Sequence, residues 1–372
     1  MMQADESFAL KTTDLDAAVA AGVIERTTAD KLIDFVLKEN TLVNRHADEE
    51  QLRLITGFND IFVTIGLALF IWALAFLAAS NEVGFAAGGF IIAAASWLLA
   101  EVFTRKKRLA LPSIALLICF GVFAYLFVVG LLNPSMLQLS ALWDDPQYWY
   151  LAVAGVVTAG LIALHWLRFR VPITIAAGCA ALVVTTASIF EGLFPHILMN
   201  HSLFVFVPMG LAIFFLAMRF DISDLARRTR RTDIAFWLHL LAAPLIVHSI
   251  VYPLLTEDML STGAAIIIVA LFATLSFIAL AVDRRALLVS SLLYLGYASS
   301  RLLSWSGVAS ENLGLSVLIV GGTVLVLSVA WQPLRRIVLS ILPQNVRNLV
   351  PPAAAPTNRH SREGGNPTLP AT

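Results

Sequence analysis

Charge is scarce in this chain: aspartate, glutamate, lysine and arginine make up 13% of 372 residues, where soluble domains carry about 25%. So few ionic groups exclude an ordinary water-facing globule, and with 59% hydrophobic residues the expected solvent is lipid. Cysteine is scarcer still. Cys119 and Cys179 both lie inside apolar runs, without CxxC or metal-ligand spacing, which excludes a disulfide scaffold and makes them small hydrophobes. Catalytic signatures are missing as well: the chain has no P-loop, no HExxH, no GxSxG and no SxxK. No catalytic residue, cofactor or resident metal is therefore assigned, and no nucleic-acid partner. The first 53 residues are polar and acidic, and the first long apolar run begins only after Asp60, so a cleavable signal peptide is not expected.

Long apolar runs dominate the rest. A helix needs about 20 mostly apolar residues to cross about 30 Å of hydrocarbon, and runs occur near 58–80, 83–103, 109–132, 148–167, 171–190, 202–219, 234–255, 261–282, 286–305 and 312–332. They are continuous rather than alternating, which excludes the strands of a β-barrel. In lipid each segment must satisfy its own backbone, so the runs predict helices.

The few charges are sorted by sign. Lys and Arg follow every second run: Arg105 to Arg108, Arg168 with Arg170, Arg227, Arg228, Arg230 and Arg231, Arg284 with Arg285, and Arg335 with Arg336. The intervening loops carry Glu82, Asp144, Asp145, Glu191, Glu257, Asp258 and Glu311 with no basic residue. Because basic loops are retained on the cytoplasmic side, the pattern predicts about ten spans with both termini inside, in a bacterial inner membrane. Trp143, Tyr148, Trp149 and Tyr150 would join an outer aromatic belt. The predicted fold is all-α and polytopic, with residues 1–56 a cytoplasmic helical hairpin and lead-in helix, 57–336 the membrane domain and 343–372 a disordered tail. Five spans in 57–190 and five in 202–336 would have opposite orientation if they were structural repeats, an arrangement known among secondary transporters.

Within residues 13–40, Leu15 and Val19 recur at helical spacing, Gly22 is placed to end a first helix, and Thr27 with Asp30 resembles a capping box opening a second. Such a short unit buries little and should pack on the membrane domain, on a second copy or on a protein partner. The run from Leu15 to Ile24, followed by Ala29 to Phe35 and a polytopic region entered through Gly57 to Asp60, resembles the bacterial membrane-protein family known as domain of unknown function 2157. That resemblance implies a membrane location and brings no activity or site residues with it.

Ionisable residues inside spans are costly and raise a functional hypothesis by default. Arg301 is the one basic residue expected in the outer half of the membrane, about 6 Å from the end of the ninth run. With Tyr294, Tyr297 and Trp305 it forms a stripe at spacings of three and four. It would either bind an anionic group in a pocket or snorkel to the interface. His248 falls at nearly the same depth and is read as a proton relay or as a neutral hydrogen-bonded histidine. The candidate solute site is therefore Arg301, His248, Tyr297 and Tyr294, for a small anionic solute. His239 lies nine residues from His248 and so on the opposite face of its helix. Asp60 and Glu101 are read as structural groups at the basic interface, the latter beside the basic cluster. Glu191, His196 and His201 have no familiar metal spacing. Arg227, Arg228, Arg230 and Arg231 would anchor the chain and meet anionic lipid headgroups. Gly84 and Gly88 match the pattern that lets helices approach closely.

Overall fold

The computed structural model describes Leu15, residues 18–33, 58–81, 83–133, 148–225, 227, 229–256, 262–305 and 312–352. Its contacts divide the chain into two units, one of residues 1–51 with 354–372 and one of 52–353.

In the first unit, Gly22 adopts a left-handed φ of 69°, and Val23 N–H donates to the Ala18 carbonyl at 2.9 Å. That closes the first helix as a glycine C-cap should. The second helix starts at Arg26, one residue before the expected cap. Thr27 Oγ1 bonds the Glu25 carboxylate instead of capping the helix. The lead-in helix expected between 45 and 53 lies outside the described residues.

The second unit is all-α, with no strand among its described residues. Ten long helices follow the predicted runs: α1 Phe58–Ser80, α2 Phe85–Ala100, α3 Ala110–Leu132, α4 Tyr148–Phe169, α5 Ile173–Leu193, α6 Ile197–Ile222, α7 Arg230–Thr256, α8 Thr262–Val282, α9 Leu288–Trp305 and α10 Asn312–Ile341. Nine of these are long and apolar enough to cross a membrane. The other, α9, is diluted by its serines, tyrosines and Arg301. The chain is thus a multi-pass helical membrane protein. Most helices pack mainly on a sequence neighbour, although α1 lies more on α3 than on α2; α7 also meets α5 and α9, and so joins the two halves.

Two features end the helices at the basic corners. α2 runs on as a π-helical turn, Glu101–Lys106. Four corners then carry a residue of positive φ, namely Arg108, Arg170, Arg227 and Asp283. At the last of these, Arg284 N–H donates to the Ala279 carbonyl at 2.9 Å, the long bond of a Schellman cap. The carboxylate of Glu101 takes Arg168 Nε at 2.6 Å and Arg105 Nη1 at 3.2 Å, tying the ends of α2 and α4 together in the structural role expected of it. Asp60 is buried in the first turn of α1.

Close approach occurs at glycines other than those expected. A Cβ on Gly84 would meet open space, and one on Gly88 only Ala78 at 3.6 Å. Gly89, by contrast, faces the α3 backbone, where a Cβ would fall 2.8 Å from Phe127 N, and Gly130 faces Ala86 N at 2.7 Å. α2 and α3 touch backbone to backbone because these two residues have no side chain.

α10 extends nine residues past the predicted end of its run at 332. A short helix, α11 Gln344–Arg347, follows it, and Val350 and Pro351 are buried. Order therefore continues into the segment expected to be disordered from Pro343, through Pro352; the rest of that tail lies outside the described residues.

Candidate functional site

Six ionisable side chains converge, nearly dry, where α6, α7 and α10 meet the α8–α9 corner. Asp221 in the last turn of α6 is 4% exposed, His239 on α7 and Arg335 on α10 are 0%, and Asp283 and Arg284 at the corner are 6% and 2%. The side chain of Arg227, from the α6–α7 loop, is 7% exposed. Isolated charges could not persist at such burial, and each of these has a partner.

One group centres on Asp221. Arg284 grips its carboxylate with two nitrogens, Nε at 3.3 Å from Oδ2 and Nη2 on Oδ1, and Nη2 also donates to the Thr232 carbonyl at 3.3 Å. His239 Nε2 lies 2.9 Å from Oδ2. Since a carboxylate accepts, that nitrogen carries the hydrogen and Nδ1 is left as the basic atom. Nδ1 is buried and has no hydrogen-bond partner among the described residues, with the Phe214 ring 5.3 Å away, centroid to centroid.

A second group centres on Asp283. Arg227 Nη1 pairs with Oδ2 at 2.9 Å, and Trp331 Nε1 donates to Oδ1 at 2.7 Å. Arg335 Nε stands 3.6 Å from Oδ1, while its terminal nitrogens donate to the carbonyls of Pro352, at 2.9 Å, and Pro351. Arg285 lies over the Trp331 ring at 5.0 Å. Because Asp283 and Arg284 are adjacent, the two groups meet at one left-handed corner. The loop before α7 is held separately by Asp224, whose Oδ2 accepts from Thr229 N–H at 2.8 Å and from its hydroxyl at 2.7 Å.

Sequence reading assigned Arg227, Arg284 and Arg335 to topology and passed over Asp221 and Asp283. The signal was an acid at the basic end of a span, which the positive-inside pattern does not require. Arg227 is a correction to the expected headgroup ligands: its guanidinium is spent on Asp283 and on the carbonyls of Val282 and Asp283. Arg230 and Arg231 remain exposed; Arg228 lies outside the described residues.

Of the predicted solute site, the structure brings His248 and Tyr294 together. Nδ1 of His248 is hydrogen-bonded to the Tyr294 hydroxyl, linking α7 to α9, and Tyr252 lies 5.4 Å from the imidazole, centroid to centroid. The histidine itself is exposed. Arg301 and Tyr297 belong to α9, but their side chains lie outside the described residues. Glu191 is committed to backbone, accepting from His196 N–H at 2.6 Å and Leu198 N–H at 2.8 Å, where it complements the positive end of α6. No group of three metal-binding side chains occurs among the described residues. Compared with protein-family models, with curated proteins and with solved structures, the chain matches none.

Proposed function

We propose that this chain is a proton-coupled secondary transporter of a small anionic solute in a bacterial inner membrane, with both termini cytoplasmic. The observation that carries the reading is the buried ionic cluster around Asp221 and Asp283. A bundle that required only stability would do as well with apolar side chains there, since breaking even against desolvation is the usual fate of a buried ion pair. Intramembrane ionisable groups, in contrast, mark ion and proton paths.

Asp221 is the pivot. With His239 neutral, the carboxylate belongs mainly to Arg284. A proton on Nδ1 makes the imidazole a second cation competing for the same oxygens, which loosens the hold of α6 on the α8–α9 corner. Protonation and helix packing are thereby linked. The solute site assigned to this reading is the α7–α9 face of His248 and Tyr294, with Tyr297 and Arg301 on the same helix. Reconstituted protein facing a pH gradient, offered mono- and dicarboxylates and inorganic phosphate in turn, should give solute-dependent acidification of the vesicle lumen. His239→Gln, which can keep the bond to Asp221 but takes up no proton, should uncouple that signal. Folded protein that moves protons with none of these solutes would sink the reading.

The hairpin supports a second role. Val23 and Leu32 are 74% and 43% exposed there, which suits an interaction or assembly surface, and its resemblance to domain of unknown function 2157 is carried as a proposed family membership. Deleting residues 13–40 should then change the partners that co-purify with the chain; unchanged partners would count against it.

A further inference from the structure

The geometry points to a phospholipid headgroup site at the end of α10, beside the Arg335 edge of the ionic cluster. A cavity of 560 Å³ opens there, lined by Arg336, Ser340, Arg347, Asn348, Leu339 and Val350. Its polar lining residues are Arg336, Arg347, Ser340 and Asn348, and no carboxylate lines it among the described residues; Ser340 Oγ donates to the Ile337 carbonyl and Arg336 Nε to the Gln332 carbonyl at 3.4 Å, which leaves the Arg336 terminal nitrogens for an anion. Leu225 closes it from the α6–α7 loop; Asp224, the neighbouring acid, is turned to Thr229 and Thr232.

The walls are fixed rather than loose. Arg335, fully buried, holds the carbonyls of Pro351 and Pro352, so the chain after α11 folds back across the end of α10 and forms one side of the cavity. Arg347 is positioned from the other side by the carbonyls of Ser340 and Leu342, at 3.4 and 3.5 Å. Both of those bonds use Nη2, leaving Nε and Nη1 to reach an anion. Ser340 lies in the last turn of a helix long and apolar enough to cross a membrane, which puts the cavity at the basic end of that helix, with Leu339 and Val350 among its apolar lining. Paired guanidinium groups match the oxygens of a phosphate. The occupant is the phosphate of an anionic phospholipid, its glycerol and acyl chains against the apolar wall.

Native mass spectrometry of the full chain in mild detergent, titrated with phosphatidylglycerol, phosphatidylcholine and inorganic phosphate, tests this. Phosphatidylglycerol should be retained over phosphatidylcholine. The double variant Arg336→Gln/Arg347→Gln should weaken that retention about thirtyfold, on the order of fivefold for each arginine, while Lys106→Gln/Lys107→Gln, at another exposed basic corner, leaves it unchanged. Circular dichroism and the melting temperature of each variant establish that it is folded. Equal retention of the two lipids overturns the proposal, as does retention that survives the Arg336/Arg347 change or falls equally with Lys106/Lys107. Binding of inorganic phosphate alone, lost in the double variant, would assign the cavity to a soluble anion and overturn the lipid.

Discussion

Asp221 and Arg284 are the residues whose loss should be felt most. Removing one member leaves the other charged, buried and unpaired, which costs about 3–5 kcal/mol, whereas replacing both by apolar groups of similar volume is often neutral or better. Asp221→Asn and Arg284→Met are each expected to lower the melting temperature of the purified protein sharply, and Asp221→Leu/Arg284→Met to recover most of the loss. Melting curves of the three variants check this; additive losses would mean that the two side chains do not form one unit. Trp331 is a milder case. Trp331→Phe keeps the ring beneath Arg285 but deletes the indole donor to Asp283, and should cost about 1–3 kcal/mol, measurable in the same assay. The reason these residues escaped the sequence is physical. Positive charge at a loop satisfies the inside rule wherever its side chain points, so Arg227 and Arg230 look alike in one dimension and differ only once Asp283 is folded beneath the first.

Among elements, the helices were legible and their contacts were not. A mostly apolar run of 23 residues such as Phe58–Ser80 announces itself, because the membrane sets its length. α9 was legible from hydropathy only in combination with the alternation of charge around it. Close packing is another matter: Gly84 and Gly88 fit the spacing rule, yet Gly89 and Gly130 meet the neighbouring backbone, since the facing surface depends on rotation of the helix about its axis. Gly89→Ala is therefore expected to destabilise the α2–α3 pair by about 1–3 kcal/mol through overpacking, while Gly88→Ala, whose new Cβ would meet only Ala78 at 3.6 Å, should cost nothing. Melting temperatures of the two alanine variants side by side would decide it.

For the whole molecule, the testable matter is which way the chain faces. In a background with Cys119 and Cys179 replaced by alanine, Asp145→Cys should react with a membrane-impermeant thiol reagent in intact cells, and Lys107→Cys only after permeabilisation. The opposite pattern would reverse the predicted orientation and place the α10 cavity in the outer leaflet. Salt bridges already draw the ends of α2 and α4 together through Glu101, and those of α6 and α8 through Asp221 and Asp283. The alternation of charge along the sequence thus has a counterpart in how the corners meet.

Those corners also set two demands against each other. Arg108 and Arg170 hold a left-handed backbone at φ 54°, where glycine would spare about 1 kcal/mol of steric cost. Glycine would, however, subtract a positive charge from loops whose sign directs insertion. Substituting it at both positions should therefore yield protein that melts higher yet inserts less uniformly, with a fraction of molecules upside down. In a membrane chain, the conformation that suits a corner and the charge that orients it need not be supplied by the same amino acid.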